Sequence, residues 1–154
     1  MLRIYKTIEN KLTEVNSLKD ENIWIDVNNP TEQELTTLCD CFNLDIDLLK
    51  APLDEEERPR IEAYDDQVLI LISMPYTTSE NSQIVYNTLP IGILVTEKAI
   101  ITVSLKESTL VEQFIKQKIA PATHKRTRFV LQLLYNNARL FLSRLKEIDK
   151  SPPR

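Results

Sequence analysis

The period of the apolar positions changes several times along the chain, and each change marks a new element. Ile23-Trp24-Ile25-Asp26-Val27 alternates and is rich in branched and aromatic residues. It reads as a strand with Ile23, Ile25 and Val27 on one face and Trp24 packed in the core on the other. Asn28-Asn29-Pro30 ends it, and Thr31 with Glu34 has the spacing of a capping box, in which each side chain satisfies an end amide of a helix. Leu35, Leu38, Cys39 and Phe42 then recur at i, i+3, i+4 and i+7, giving that helix one apolar stripe against a sheet. Asp45 is placed to cap a second short helix carrying Ile46, Leu48 and Leu49, which Pro52 ends. Before these elements, the segment from Leu2 to Thr7 and the segment Leu12 to Val15 read as two short strands that pair.

From Leu53 to Pro75 an acidic turn gives way to a brief strand, Ile61 to Tyr64, then a turn at Asp65-Asp66 and an apolar run. Val68 to Ile72 is apolar without alternation, which predicts a strand covered on both faces at the centre of the fold. Tyr76 to Gln83 is a polar run with the composition of an exposed loop. Ile84, Tyr86 and Leu89 lead into a strand centred on Ile91 to Val95, and Thr96 to Ala99 is short enough to connect it to an antiparallel neighbour, Ile100 to Val103. Ser108 is placed to cap a helix with Leu110, Val111, Phe114, Ile115 and Ile119 at helical spacing, closed by Ala120-Pro121.

The stretch from His124 to Lys150 reads as one long helix. Leu131, Leu134, Ala138, Phe141, Leu145 and Ile148 alternate spacings of three and four, the seam of helices that pack on one another. Val130, Leu133, Leu140 and Leu142 widen the apolar surface, so the helix is expected to touch both its own domain and a second helix. The expected fold class is α/β (α+β): a three-layer αβα sandwich with a mixed, largely antiparallel central sheet and a long C-terminal helix. Residues 1–122 form the αβα domain, 123–150 the C-terminal helix, and 151–154 a tail in which Pro152 and Pro153 end the helix.

Composition narrows the function. The 154 residues, 42% apolar and 27% charged, suit one compact domain with a sizeable core. With 23 acidic and 19 basic residues the net charge is -4, so no global field attracts nucleic acid, and the basic cluster His124, Lys125, Arg126 and Arg128 reads as a solvated face. Cys39 and Cys41 point in different directions on a helix and read as small buried apolar residues of a reduced cytoplasmic protein. With His124 the only histidine, a zinc site lacks ligands. The lone glycine, Gly92, excludes the glycine-rich phosphate loops. No apolar stretch approaches the roughly 20 residues of a membrane-crossing helix, so this segment is expected to be soluble without direct membrane insertion. Asp54 to Glu57 are four consecutive carboxylates followed by Arg58 and Arg60, a solvated turn or a regulatory cation patch. Four neighbours on one turn cannot all converge on a hard cation.

LDEEERPRIEAYDDQVLILISMP, with Asp54, Glu57, Arg58, Pro59, Arg60, Ile61, Glu62 and Tyr64 in register, resembles the signature segment of the cytoplasmic domain of CorA-type magnesium and divalent-cation transporters. Trp24 to Thr31 with Glu34 and Leu35 is similar to that family's first strand-to-helix junction, and Leu89 to Leu94 followed by Ile100 to Val103 to its strand pair. The resemblance covers nearly the whole chain and implies the regulatory, cation-sensing domain at the cytoplasmic face of the cell membrane. Its partners would be sister subunits and the stalk and membrane helices, which lie outside these residues; the segment alone is expected to be a monomer or a dimer. The resemblance also implies no catalysis, no tightly bound cofactor and weak Mg2+ binding, with Glu80 the acid nearest to the family's interfacial metal site. Two readings of other classes stand beside it: an α/β protein-interaction module using the last helix, and a metal-dependent hydrolase using Asp54, Glu57, Asp65 or Asp66, which lacks a nearby histidine base or nucleophile motif.

Overall fold

A computed structural model describes residues 1–116 and 120–150. Seven strands form one mixed sheet in the order β2-β1-β3-β7-β6-β5-β4. They are β1 (Leu2–Ile8), β2 (Lys11–Val15), β3 (Ile23–Asn28), β4 (Arg60–Tyr64), β5 (Gln67–Glu80), β6 (Gln83–Val95) and β7 (Ala99–Ser104). Only β3 and β7 pair in parallel, and every other neighbour is antiparallel. The helices are α1 (Glu32–Phe42), α2 (Ile46–Lys50), α3 (Leu110–Lys116) and α4 (Arg126–Asp149).

Alternation along the strands divides the interior into two cores, one on each face of the sheet. Ile23, Ile25 and Val27 of β3, with Leu69, Leu94, Ile101 and Val103, meet Leu35, Leu38, Leu48 and Leu49 of α1 and α2. On the opposite face Trp24, Ile91, Ile93 and Ile100 meet Leu110 and Phe114 of α3 and Phe129 and Leu133 of α4. The architecture is therefore the three-layer αβα sandwich with a largely antiparallel mixed sheet. Trp24 is fully buried at the middle of the second core. Its ring stands edge-on to Phe114 and Phe129 at centroid separations of 5.6 and 5.2 Å, and Phe114 stacks on Phe129 at 5.3 Å.

The capping box at α1 forms in full: Glu34 N–H donates to Thr31 Oγ1 at 3.1 Å and Thr31 N–H donates to Glu34 Oε1 at 3.0 Å. Thr31→Ala is expected to cost about 1 kcal/mol, because one end amide loses its acceptor. Urea denaturation checks this, and an unchanged midpoint would show that water replaces the cap.

Several local expectations are corrected. β5 is not central: it lies next to the edge strand β4, and β7 holds the middle position. Leu69 and Leu71 are buried, whereas Val68, Ile70 and Ile72 are half-buried, because helices cover that end of the sheet fully on one face only. Tyr76 to Gln83 is not a loop. β5 and β6 continue as a paired ribbon to Glu80 and Gln83, closed by Asn81 and Ser82 with φ of 51° and 63°. Positive φ at both residues is the geometry of the two-residue hairpin that follows strand twist. As expected, α2 ends just ahead of Pro52, at Lys50, and the chain then tightens into a 3-10 turn over Ala51–Leu53. Ser108 does not cap α3, because its hydroxyl has no hydrogen-bond partner. The long helix starts at Arg126, so His124 and Lys125 precede it. Cys41 is exposed; Cys39 alone is partly buried against the first core. Ile119 and the tail 151–154, with Pro152 and Pro153, lie outside the described residues.

Candidate functional site

The signature segment folds as a chain of charged side chains along the edge strand. Asp54 Oδ1 accepts from the Glu56 amide at 3.0 Å and fixes the acidic turn. Arg60, Glu62 and Tyr64 alternate with Ile61 and Ala63 on β4 and so share one face. Arg60 donates to Glu57 and, through Nε at 2.6 Å, to Glu62; Tyr64 Oη donates to the other Glu62 oxygen at 2.8 Å. The Arg60 guanidinium followed by the Tyr64 hydroxyl holds the Glu62 carboxyl below its ordinary range, and Glu57 and Glu62 raise Arg60 further above its own. Arg58 and Pro59 are exposed. With Glu57 and Glu62 already committed to Arg60, these residues form an ordered edge and not an open cation site.

The proposed metal candidate, Glu80, is exposed on the last residue of β5, opposite Gln83 at the tip of the ribbon. Asp65 and Asp66 form the β4–β5 turn, with Asp65 at a φ of 43°. Neither these residues, nor Asp54 and Glu57, nor Glu80 belongs to a group of three or more carboxylate, thiol or imidazole side chains able to hold a metal; among the described residues there is none. A hard cation needs several converging oxygens.

On α4, Phe129 and Leu133 turn into the sheet with Asn136 and Asn137, whose Nδ2 donates to the Ser73 carbonyl at 2.8 Å. The seam falls on another side of the helix. Leu131, Leu145 and Ile148 are 60%, 55% and 44% exposed, Ala138 is exposed, and Leu134 and Phe141 are half-buried. Phe141, Leu145 and Ile148 border a groove of about 350 Å3 whose other wall is Pro75, Tyr76 and Tyr86 of the ribbon. At the other end of the helix Arg126 Nη1 donates to the Thr96 carbonyl at 2.5 Å, so one member of the basic cluster ties α4 to the sheet.

A polar constellation that the sequence did not single out lies at the C-terminal end of the parallel pair. Asp26 is 4% exposed. Its Oδ1 accepts from Thr102 Oγ1 at 2.8 Å and its Oδ2 from Asn28 Nδ2 at 3.0 Å; Ser104 Oγ donates to Asn28 Oδ1 at 3.0 Å. Thr102 Oγ1 in turn accepts from the Trp24 indole at 2.9 Å. Burial raises the Asp26 carboxyl above its ordinary value; the bonds from Thr102 and Asn28 and the charge of Arg3 pull against this, and Glu107 adds to it. A folded-state value above the unfolded one means that the native chain takes up this proton more readily. The site's contribution to stability then falls as pH rises from the unfolded carboxyl value of about 3.9 through the raised folded value. Relative to the parent, Asp26→Asn is expected to gain stability progressively over that window, as read by denaturation midpoints at stepped pH. A difference independent of pH would mean that Asp26 titrates alike in both states.

Two kinds of relationship place the chain. The cobalt/magnesium transport protein CorA of Methanocaldococcus jannaschii is 29% identical over 96 residues, covering 62% of this chain and 29% of that protein. The complete structure of the CorA magnesium transporter from the same organism superposes with a TM-score of 0.74 at 19% identity, over 97% of this chain and 48% of that one. The soluble domain of CorA from M. jannaschii gives 0.71 at 22% identity, over 97% and 60%. The chain thus spans less than two thirds of each relative, and the structural likenesses establish the fold. No described helix is long and apolar enough to cross a membrane. The sequence pattern of the family described as CorA-like Mg2+ transporter protein matches residues 19–150, from before β3 to the end of α4, and the chain belongs to that family.

Proposed function

We propose that this chain is the regulatory, cation-sensing domain of a CorA-like magnesium or divalent-metal transporter, on the cytoplasmic face of the membrane, acting through contacts with sister subunits and with stalk and membrane helices and without catalysis. The observation that carries this reading is the exposed apolar seam of α4, Leu131, Leu145 and Ile148, which is not used by the chain's own sheet. Apolar side chains at alternating spacings of three and four supply a helix-packing face. A divalent ion joining carboxylates of two copies would favour one packing of that face, and its removal would let like charges repel.

Calorimetric titration with magnesium, with calcium as control and sedimentation velocity alongside, tests the proposal. The expected result is weak, saturable magnesium binding with a shift toward larger species, both lost in Glu80→Gln, and a loss of association in Leu131→Glu. Neither heat nor a change of size at millimolar magnesium would sink the sensing role for these residues. Association through the α4 seam that ignores magnesium would instead favour a protein-interaction module.

A further inference from the structure

A cavity of about 390 Å3 opens where β3 and β7 end, between the sheet and α3. In open α/β sheets the crevice beyond the carboxyl ends of parallel strands is where ligands bind, and this volume lies in the range of small-molecule sites. Asp26 and Asn28 line the cavity, and Ser108, also on its wall, has a hydroxyl oxygen shielded from solvent with no hydrogen-bond partner. Glu14 of β2, Glu107 of the β7–α3 connection and Glu112 of α3 line it, against a single cation among the described residues, Arg3. Leu12, Val111 and Ile115 give it an apolar side.

We propose that this cavity binds an aliphatic polyammonium ion, its methylenes along Leu12, Val111 and Ile115 and its ammonium groups on Glu14, Glu107, Glu112 and the buried Asp26. The acids point to a cation, and their dispersal decides which kind. A magnesium ion needs near-octahedral oxygens at about 2.0–2.1 Å, and no three acids converge here in that way. An extended cation with charges separated by methylenes meets carboxylates spread around an apolar wall, and each ammonium brings three donors for them. Occupancy is reported by the protein itself: Asp26 is bonded through Thr102 to the indole of Trp24, the only tryptophan, which packs on α3 and α4. Such binding holds whether or not the chain senses divalent ions.

The test is titration of the whole chain with spermidine at fixed ionic strength, followed by calorimetry and Trp24 fluorescence, with magnesium as the comparison cation. Saturable binding of one spermidine per chain with a fluorescence change is expected. Glu107→Gln combined with Glu112→Gln should weaken it by about tenfold or more, as loss of two charge contacts implies. Glu55→Gln combined with Glu56→Gln, on the distant acidic turn, should leave it unchanged. The proposal is overturned by the absence of saturable binding, by equal weakening in both double variants, or by magnesium giving the same fluorescence change with comparable affinity. Circular dichroism of both double variants ensures that only folded chains are compared.

Discussion

Trp24→Ala is expected to destabilise the fold by about 3–5 kcal/mol, the range for deleting a large buried aromatic side chain. Three effects coincide at this position. The indole is 0% exposed, so its whole surface is returned to water or replaced by a void. Its edge-on contacts with Phe114 and Phe129 join α3 and α4 to the sheet, and aromatic pairs of this geometry contribute beyond their area. The indole N–H also donates to Thr102, which donates to buried Asp26, so truncation loosens a polar network as well. Trp24→Phe separates these effects: it keeps an aromatic body but removes the donor, and about 1–3 kcal/mol is expected from it. Guanidinium denaturation read by circular dichroism checks both, since the alanine variant has no tryptophan to follow. A loss below about 1 kcal/mol in Trp24→Ala would show that the two helices close over the void.

Elements set by neighbours in sequence were legible in the chain. The alternation of Ile23 to Val27, the Thr31 and Glu34 capping box and the stripe Leu35, Leu38, Cys39, Phe42 each depend on contacts within a few residues, and each forms as the pattern requires. What depended on the order of strands was not legible. The unbroken apolar run of β5 suits a central strand, yet its place beside the edge is fixed by pairing with β4 and β6, which no local period encodes. The polarity of Thr77, Thr78 and Ser79 suits a loop; in a two-stranded ribbon beyond the sheet, solvent reaches the strands, and polarity no longer distinguishes them from a loop. The Asn81-Ser82 turn was the available sign. Asp26 illustrates the limit for the site. In sequence it is the polar member of an alternating strand, and its role comes from Thr102, 76 residues away on β7.

Gly92 poses the second large expectation, and its cause is space and not backbone freedom. No positive φ occurs at this residue, which lies in β6 between Leu71 of β5 and Val103 of β7. A Cβ there would stand 2.3 Å from Cγ and 3.2 Å from Cβ of Pro52, and 3.4 Å from Leu69 Cδ1. Pro52 is buried in the 3-10 turn after α2, so its ring cannot swing aside as a long flexible side chain would. Gly92→Ala is therefore expected to cost about 1–3 kcal/mol despite the better strand propensity of alanine, because the turn must lift from the sheet. Pro52→Ala alone should also destabilise, through the gap left over Gly92. In the double variant the new methyl occupies part of that gap, so the two losses should sum to more than the measured total, with a coupling of at least about 0.5 kcal/mol. Denaturation midpoints of the four proteins close the cycle. Strict additivity would place the cost of Gly92→Ala elsewhere, in contacts with Leu69, and would remove the close approach of Pro52 as the reason for the chain's one glycine.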